Sequence, residues 1–238
     1  LYIVLFPQLI AGPIVRYHDV AQQLVRREHT ARRMFEGMFR FALGLAKKVL
    51  IANPLAIIAD GAFDVPKLQY LHAGTAWIGL FAYAGQIYFD FSGYSDIAIG
   101  VSRLFGFDLM RNFAFPYFSR DIAEFWRRWH ISLSTWFRDY LYIPLGGSRK
   151  GKTRAIRNTF ITFLVSGFWH GANWKYIAWG GLHALYFLPL LLLNKNRTNL
   201  NIAAAGRLFP HAKELAGIII TFILTVLAWI FFRADSVA

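Results

Sequence analysis

The chain has 238 residues, with 26 Lys+Arg against 13 Asp+Glu and a formal net charge of +13; 56% of residues are hydrophobic, 18% aromatic and 16% charged. So few charges among so much apolar surface exclude an ordinary water-soluble domain and a disordered segment. With no cysteine in the chain, disulfides, thiolate nucleophiles, acyl-cysteine intermediates and Cys-ligated zinc are excluded, and the redox compartment is not readable.

A strongly basic balance fits either nucleic-acid binding or a membrane protein with basic cytoplasmic loops. Here the charges stand in short clusters between long apolar runs, so nucleic acid is excluded and membrane lipid is the expected surroundings. The predicted fold class is an all-α multi-pass membrane protein. The sequence starts without Met inside one apolar stretch and ends just after another, which reads as a fragment of a longer protein.

Five stretches are long or apolar enough to span or enter a bilayer, for which about 20 mostly apolar residues are needed. Leu1–Val15 is uncharged but interrupted by Pro7, Gly12 and Pro13, as in a helix end or re-entrant segment. Met34–Ala59 carries Arg40, Lys47 and Lys48, which are costly in lipid unless they face protein, water or the interface. Ala73–Phe107 contains Asp90 and Asp96. Asn158–Trp174 and Tyr176–Asn194 form a close pair separated by Lys175, and Leu215–Phe232 is uncharged. Basic clusters at residues 26–33, 149–157 and 195–213 are separated by two spans each. An even number of crossings puts all three on the cytoplasmic side by the positive-inside rule.

Asp121–Tyr142 has a different pattern. At 100° per residue Trp126, Trp129, Leu133, Trp136, Phe137 and Tyr140 share one face, and Glu124, Arg127, Arg128, Arg138 and Asp139 the other. This predicts a single amphipathic helix at the membrane interface or a wet cavity wall. Asp121 with Glu124 three residues on suits its start, and Pro144 with Gly146–Gly147 its end.

No metalloprotease, Walker, dinucleotide or nucleophile-elbow motif is present. His170, near the outer end of its span, reads either as a neutral proton acceptor or as a histidine packed across a helix interface. Gly167 and Gly171 on either side leave room for a close approach. His130, at the edge of the aromatic face, reads as an orienting residue or as an interfacial side chain with a polar tip. Asp90 and Asp96 read equally as partners of Lys47, Lys48 or Arg103 and as the lining of a polar path. His183 reads as packing. The histidines in apolar stretches do not have metal-ligand spacing, so no metal is expected.

Phe125–Trp126–Arg127–Arg128–Trp129–His130–Ile131–Ser132–Leu133–Ser134, continuing to Pro144–Leu145–Gly146–Gly147, resembles the signature of the membrane-bound O-acyltransferase family. Ser166–Gly167–Phe168–Trp169–His170–Gly171–Ala172–Asn173–Trp174 resembles that family's histidine motif, and Phe6–Ile14 and Tyr88–Asp96 its earlier landmarks. Leu145–Gly146–Gly147–Ser148–Arg149–Lys150–Gly151 is similar to the bacterial alginate O-acetylase branch. The resemblance implies a helical ring around a thinned centre, with a tunnel joining the two sides. It makes residues 1–238 a single partial transmembrane domain that lacks N-terminal spans and a short C-terminal tail. It maps the family's invariant histidine onto His170 and its second functional histidine onto His130, and it makes Asp90, Trp129, Trp169 and Asn173 candidate tunnel or substrate-lining residues.

The implied activity is acyl transfer, acetyl above all, to hydroxyls of an exported polysaccharide such as alginate. The implied setting is the bacterial inner membrane, with periplasmic acetylation proteins as partners. The donor is a cytoplasmic thioester, acetyl-coenzyme A or an acylated carrier protein, with no resident cofactor. D-alanyl transfer to teichoic acid, peptidoglycan O-acetylation, and a non-enzymatic channel or transporter are the alternatives.

Overall fold

A computed structural model describes residues 2–9, 12–64 and 72–235. Among them all regular structure is helical. Leu1, Ile10 and Ala11 of the first predicted stretch lie outside the described residues. The rest of that stretch holds only a short 3-10 turn, Phe6–Gln8, with Pro7 in its first turn. The chain forms two compact units that meet in sequence at Asn112 and Phe113.

In the first unit, α1 is Tyr17–Val25 and α2 is Ala31–Ala46, capped by Thr30, whose Oγ1 accepts from Arg33 N at 3.2 Å. A π turn, Lys47–Ala52, joins α2 to α3, Asn53–Phe63, making one rod of 33 residues. Pro54 explains the widened turn. It has no N–H for the Leu50 carbonyl, and Asn53 N instead reaches back five residues to Lys48 O. α4, Ala73–Leu104, runs antiparallel to this rod, with ion pairs Arg33–Asp108 and Arg103–Glu36 tying one end. Glycines seven residues apart on both helices form the seam. A Cβ on Gly44 would lie 2.5 Å from Gly93 O, and one on Gly100 2.6 Å from Phe41 N. Only glycine permits that approach.

The charges inside the second and third predicted stretches face each other across the seam. Asp96 accepts from Arg40 Nε at 2.9 Å and Lys47 Nζ at 2.6 Å, and Lys48 Nζ lies 2.5 Å from Asp90 Oδ1. The Asp96 side chain is 14% exposed and that of Asp90 43%. Asp96→Asn leaves two cations uncompensated in apolar surroundings and is expected to cost about 3 kcal/mol. Asp90→Asn breaks a half-exposed pair and should cost less than about 1 kcal/mol. Thermal unfolding of the two variants in detergent tests this order, and equal midpoints would contradict it.

In the second unit, α5 is Ile122–Arg128 and α6 Ile131–Phe137, followed by a π turn, Arg138–Tyr142. The single amphipathic helix expected over Asp121–Tyr142 is therefore broken at Trp129–His130. Trp129 is extended (φ −100°, ψ 127°) and His130 left-handed (φ 44°, ψ 55°). The expected polar face is solvated only in part: Arg127 and Arg138 are exposed, whereas Glu124 is 1% exposed and held by both Arg120 and Arg128. Asp121 does begin α5, its Oδ1 accepting from Glu124 N at 2.7 Å.

α7, Lys152–His170, and α8, Trp174–Leu192, form a hairpin, and α9 is Ala212–Arg233. Close approach of α7 and α8 needs Gly167 and Gly180, where a Cβ would lie 2.2 Å from Tyr176 O and 2.3 Å from Phe163 O. By length and composition, two helices among the described residues can cross a bilayer: the rod Ala31–Phe63 and α9.

Candidate functional site

Contacts within the second unit sort its residues to two ends. At one end Lys152 Nζ donates to Leu192 O at 2.8 Å, Arg127 to Asn199 O at 2.8 Å and Arg120 to Glu214 at 3.0 Å. Arg120 also donates to Asn201 O. Hydrogen bonds to Glu124 and Glu214 hold the Arg120 guanidinium above its ordinary value despite burial. The basic stretches 149–157 and 195–213 both belong to this end. At the other end Lys175 Nζ donates to Ala234 O at 2.7 Å, and His170 meets Phe232, with ring centroids 5.2 Å apart. His170 is the last residue of α7 and so stands at the end opposite the basic clusters.

Four rings surround the His170 imidazole. Trp169 is 4.9 Å away, Trp179 5.2 Å, Phe232 5.2 Å and Tyr176 6.4 Å, centroid to centroid. Gly171 is approached by the Tyr176 ring and Gly167 by the α8 backbone, so both small residues serve helix packing here. Trp179 and Phe232 escaped the sequence reading. Their α8 and α9 positions follow no spacing from His170, and only the folded hairpin brings them there.

His130 sits at the tip of the α5–α6 break, 5% exposed, with its ring 6.4 Å from that of Trp169. Both histidines therefore touch the same indole. Burial first, and then the neighbouring His170, pushes the His130 imidazole well below its ordinary value. The left-handed backbone of a non-glycine residue costs about 1–3 kcal/mol. His130→Gly relieves that strain but empties a site only 5% exposed, so the midpoint of thermal unfolding is expected to shift by no more than a few degrees. A large loss would mean that packing of the imidazole, not backbone strain, dominates at this position.

The other sequence candidates are dispersed. Trp129 is 4% exposed and packs against Phe113, Tyr117, Phe125 and Trp229. Asn173 caps α8, its Oδ1 accepting from Lys175 N at 3.0 Å. Trp169 is 53% exposed beside both histidines. Asp90 belongs to the first unit, paired with Lys48. His183 is fully buried, its Nδ1 accepting from Trp126 Nε1 at 3.3 Å, as packing requires.

A cavity of about 400 Å³ lies between α6 with its π turn, α7 and α8. Lys152, Asn194 and Arg197 line it at the basic end, and Thr162, Phe163 and Ser134 farther in. Ser134 is one helical turn from His130 along α6. Nothing in the linear pattern marks this cavity, because its walls come from three separate segments.

Over residues 1–232 the sequence matches the profile of the family described as MBOAT, membrane-bound O-acyltransferase family. It is similar to a probable alginate O-acetylase of Pseudomonas syringae pv. tomato, 48% identical over 99% of this chain and 43% of the relative. It is also similar to a peptidoglycan O-acetyltransferase of Helicobacter pylori, 43% identical over 99% of this chain and 44% of the relative. A teichoic acid D-alanyltransferase of Streptococcus thermophilus is 32% identical over 97% of this chain and 60% of the relative. The chain thus spans less than half the length of the first two relatives.

Proposed function

The chain belongs to the membrane-bound O-acyltransferase family, and from that premise we propose that it forms the catalytic part of a bacterial inner-membrane, multi-pass O-acetyltransferase. The enzyme passes acetyl from a cytoplasmic thioester, acetyl-coenzyme A or an acylated carrier protein, to hydroxyls of an exported polysaccharide such as alginate. Transfer is direct or runs through a periplasmic acetylation protein. The observation that supports this best is the polarity of the second unit. A cavity begins among cations at one end, and His170 stands at the other, with His130 between them on the same indole. By the positive-inside rule the cationic end is cytoplasmic, so the donor enters there and the acceptor meets His170 from outside.

In this reading His170 accepts the proton of the attacking hydroxyl. The hydroxyl oxygen bonds to the thioester carbonyl carbon, the C–S bond breaks, and the thiolate leaves and takes up a proton. The products are an acetyl ester and a free thiol. His130, neutral and held at the tip of a strained turn, orients the donor carbonyl. Trp169 lines the meeting point, and Asn173 fixes the turn that carries His170. Trp129 anchors the backbone of His130 from the core. Asp90 is held by Lys48 within the first unit and takes no part in this step.

The test uses the full-length gene in its host. Esters are released with mild base from secreted polysaccharide and from cell wall, in the wild type, a deletion strain and the complemented deletion. Acetate missing from the polysaccharide of the deletion strain supports the reading. Acetate missing from peptidoglycan, or D-alanine missing from the wall, moves the protein to the activities for which two of its relatives are named. Unchanged esters in all fractions would overturn the enzyme reading.

A further inference from the structure

We propose that His183 is a positioning residue for acyl transfer: through Nδ1 its imidazole fixes the spacing between His130 and His170. This rests on the reading above, in which those two histidines serve one reacting centre, and adds to it the side chain that holds them in register.

The polarity of the position is the first argument. His183 is 0% exposed, in the middle of α8. An indole N–H only donates, so the 3.3 Å bond from Trp126 Nε1 makes Nδ1 the acceptor and leaves the proton on Nε2. Nε2 is buried and has no hydrogen-bond partner among the described residues. An orphaned N–H in an apolar interior is destabilising, and phenylalanine or leucine at this place would not carry it. Packing alone therefore does not account for an imidazole. What the imidazole supplies, and an apolar side chain does not, is a directional acceptor for Trp126.

The place of that acceptor is the second argument. Trp126 stands four residues before His130, on the seven-residue helix that leads into the break. Trp179 stands one turn before His183 on α8. Its ring lies 4.9 Å from that of His183 and 5.2 Å from that of His170, centroid to centroid. Phe163, about two turns before His170 on α7, has its ring 6.2 Å from that of His183. The imidazole thus reaches both neighbours of the centre: α5, which leads to His130, and α7, which ends in His170. Ring contacts tolerate small slips, whereas the Trp126–His183 bond has one length and one direction. A slip of about 1 Å between reacting groups is enough to slow a reaction severely.

Inside-out membrane vesicles from a host expressing the full-length protein are given labelled acetyl-coenzyme A or an acetylated carrier protein. Transfer is read beside the membrane level and thermal midpoint of each variant. His183→Phe keeps a ring and removes the acceptor. Its expected kcat is about tenfold lower, with KM within about threefold and the midpoint within a few degrees of the wild type. His183→Asn offers Oδ1 in place of Nδ1 but leaves a void. It is expected to be the less stable of the two variants and the faster, with kcat within about threefold of the wild type. A residue that only packs would rank the two variants in the same order for stability and for kcat. Trp126→Phe is expected to slow transfer about as much as His183→Phe, and the double variant no further than either. Matching orders of stability and kcat, additive losses in the double variant, or a wild-type kcat for His183→Phe would each overturn the proposal. His170→Ala, measured in the same vesicles, keeps the two readings apart. If it retains normal transfer, the shared centre and this proposal fall together. If it stops transfer and His183→Phe does not slow it, this proposal alone falls.

Discussion

Replacing His170 by alanine in the full-length protein is expected to lower kcat for ester formation by about 10²–10⁴-fold, the range of a lost general base. The amount of protein in the membrane should stay near normal. The imidazole is half-buried at the end of α7 and contacts four rings by their edges and faces. Truncation leaves a small void at a helix terminus rather than deep in a core, with a cost of about 1–2 kcal/mol. Activity and membrane level must be measured on the same preparations. If His130 and His170 act on one reacting centre, the double alanine variant should be hardly slower than His170→Ala. Near-normal transfer by His170→Ala would remove the proposed mechanism. Additive losses would separate the two histidines into independent roles.

Glu124→Ala should have the largest effect on folding. The carboxylate is 1% exposed and accepts from Arg120 N at 2.8 Å, Arg120 Nε at 3.0 Å and Arg128 Nη2 at 2.7 Å. Arg120 and Arg128 are themselves only 11% and 13% exposed. Removing the shared acid leaves Arg128 without an acidic partner and Arg120 with Glu214 alone, an expected loss of about 3–5 kcal/mol. Glu124→Gln keeps part of the hydrogen bonding and should fall between. The readouts are thermal unfolding in detergent and the level of full-length protein in membranes. A loss under about 1 kcal/mol for the alanine variant would mean that this buried triad is not what holds α5 in place.

The positions of the long helices could be read from the sequence: the rod Ala31–Phe63 covers its predicted stretch and α4, α7, α8 and α9 each cover most of one, although among the described residues the rod and α9 are the two long and apolar enough to cross a bilayer. The break at Trp129–His130 could not. Trp126, Trp129, Leu133 and Trp136 keep helical spacing straight across it, and what stops the helix is the conformation of two residues rather than a glycine or proline. Glu124 was misread for a related reason. Its second-turn partner Arg128 looks like an exposed i,i+4 pair, and the partner that helps bury it, Arg120, precedes the predicted helix and is itself tied to Glu214, 94 residues away. The place of His170 at the end of an apolar helix could be read from the sequence. The aromatic box around it could not, because Trp179 and Phe232 arrive through tertiary packing of three helices.

The box around His170 also bears on the order of synthesis. Both histidines are made long before residue 212, yet Phe232 closes on His170 and Glu214 closes on Arg120 only when α9 is present. A chain halted ahead of α9 has the His170 ring without its Phe232 wall and Arg120 without Glu214. The surroundings of His170 and the anchoring of α5 are therefore completed together, by the last helix to be made.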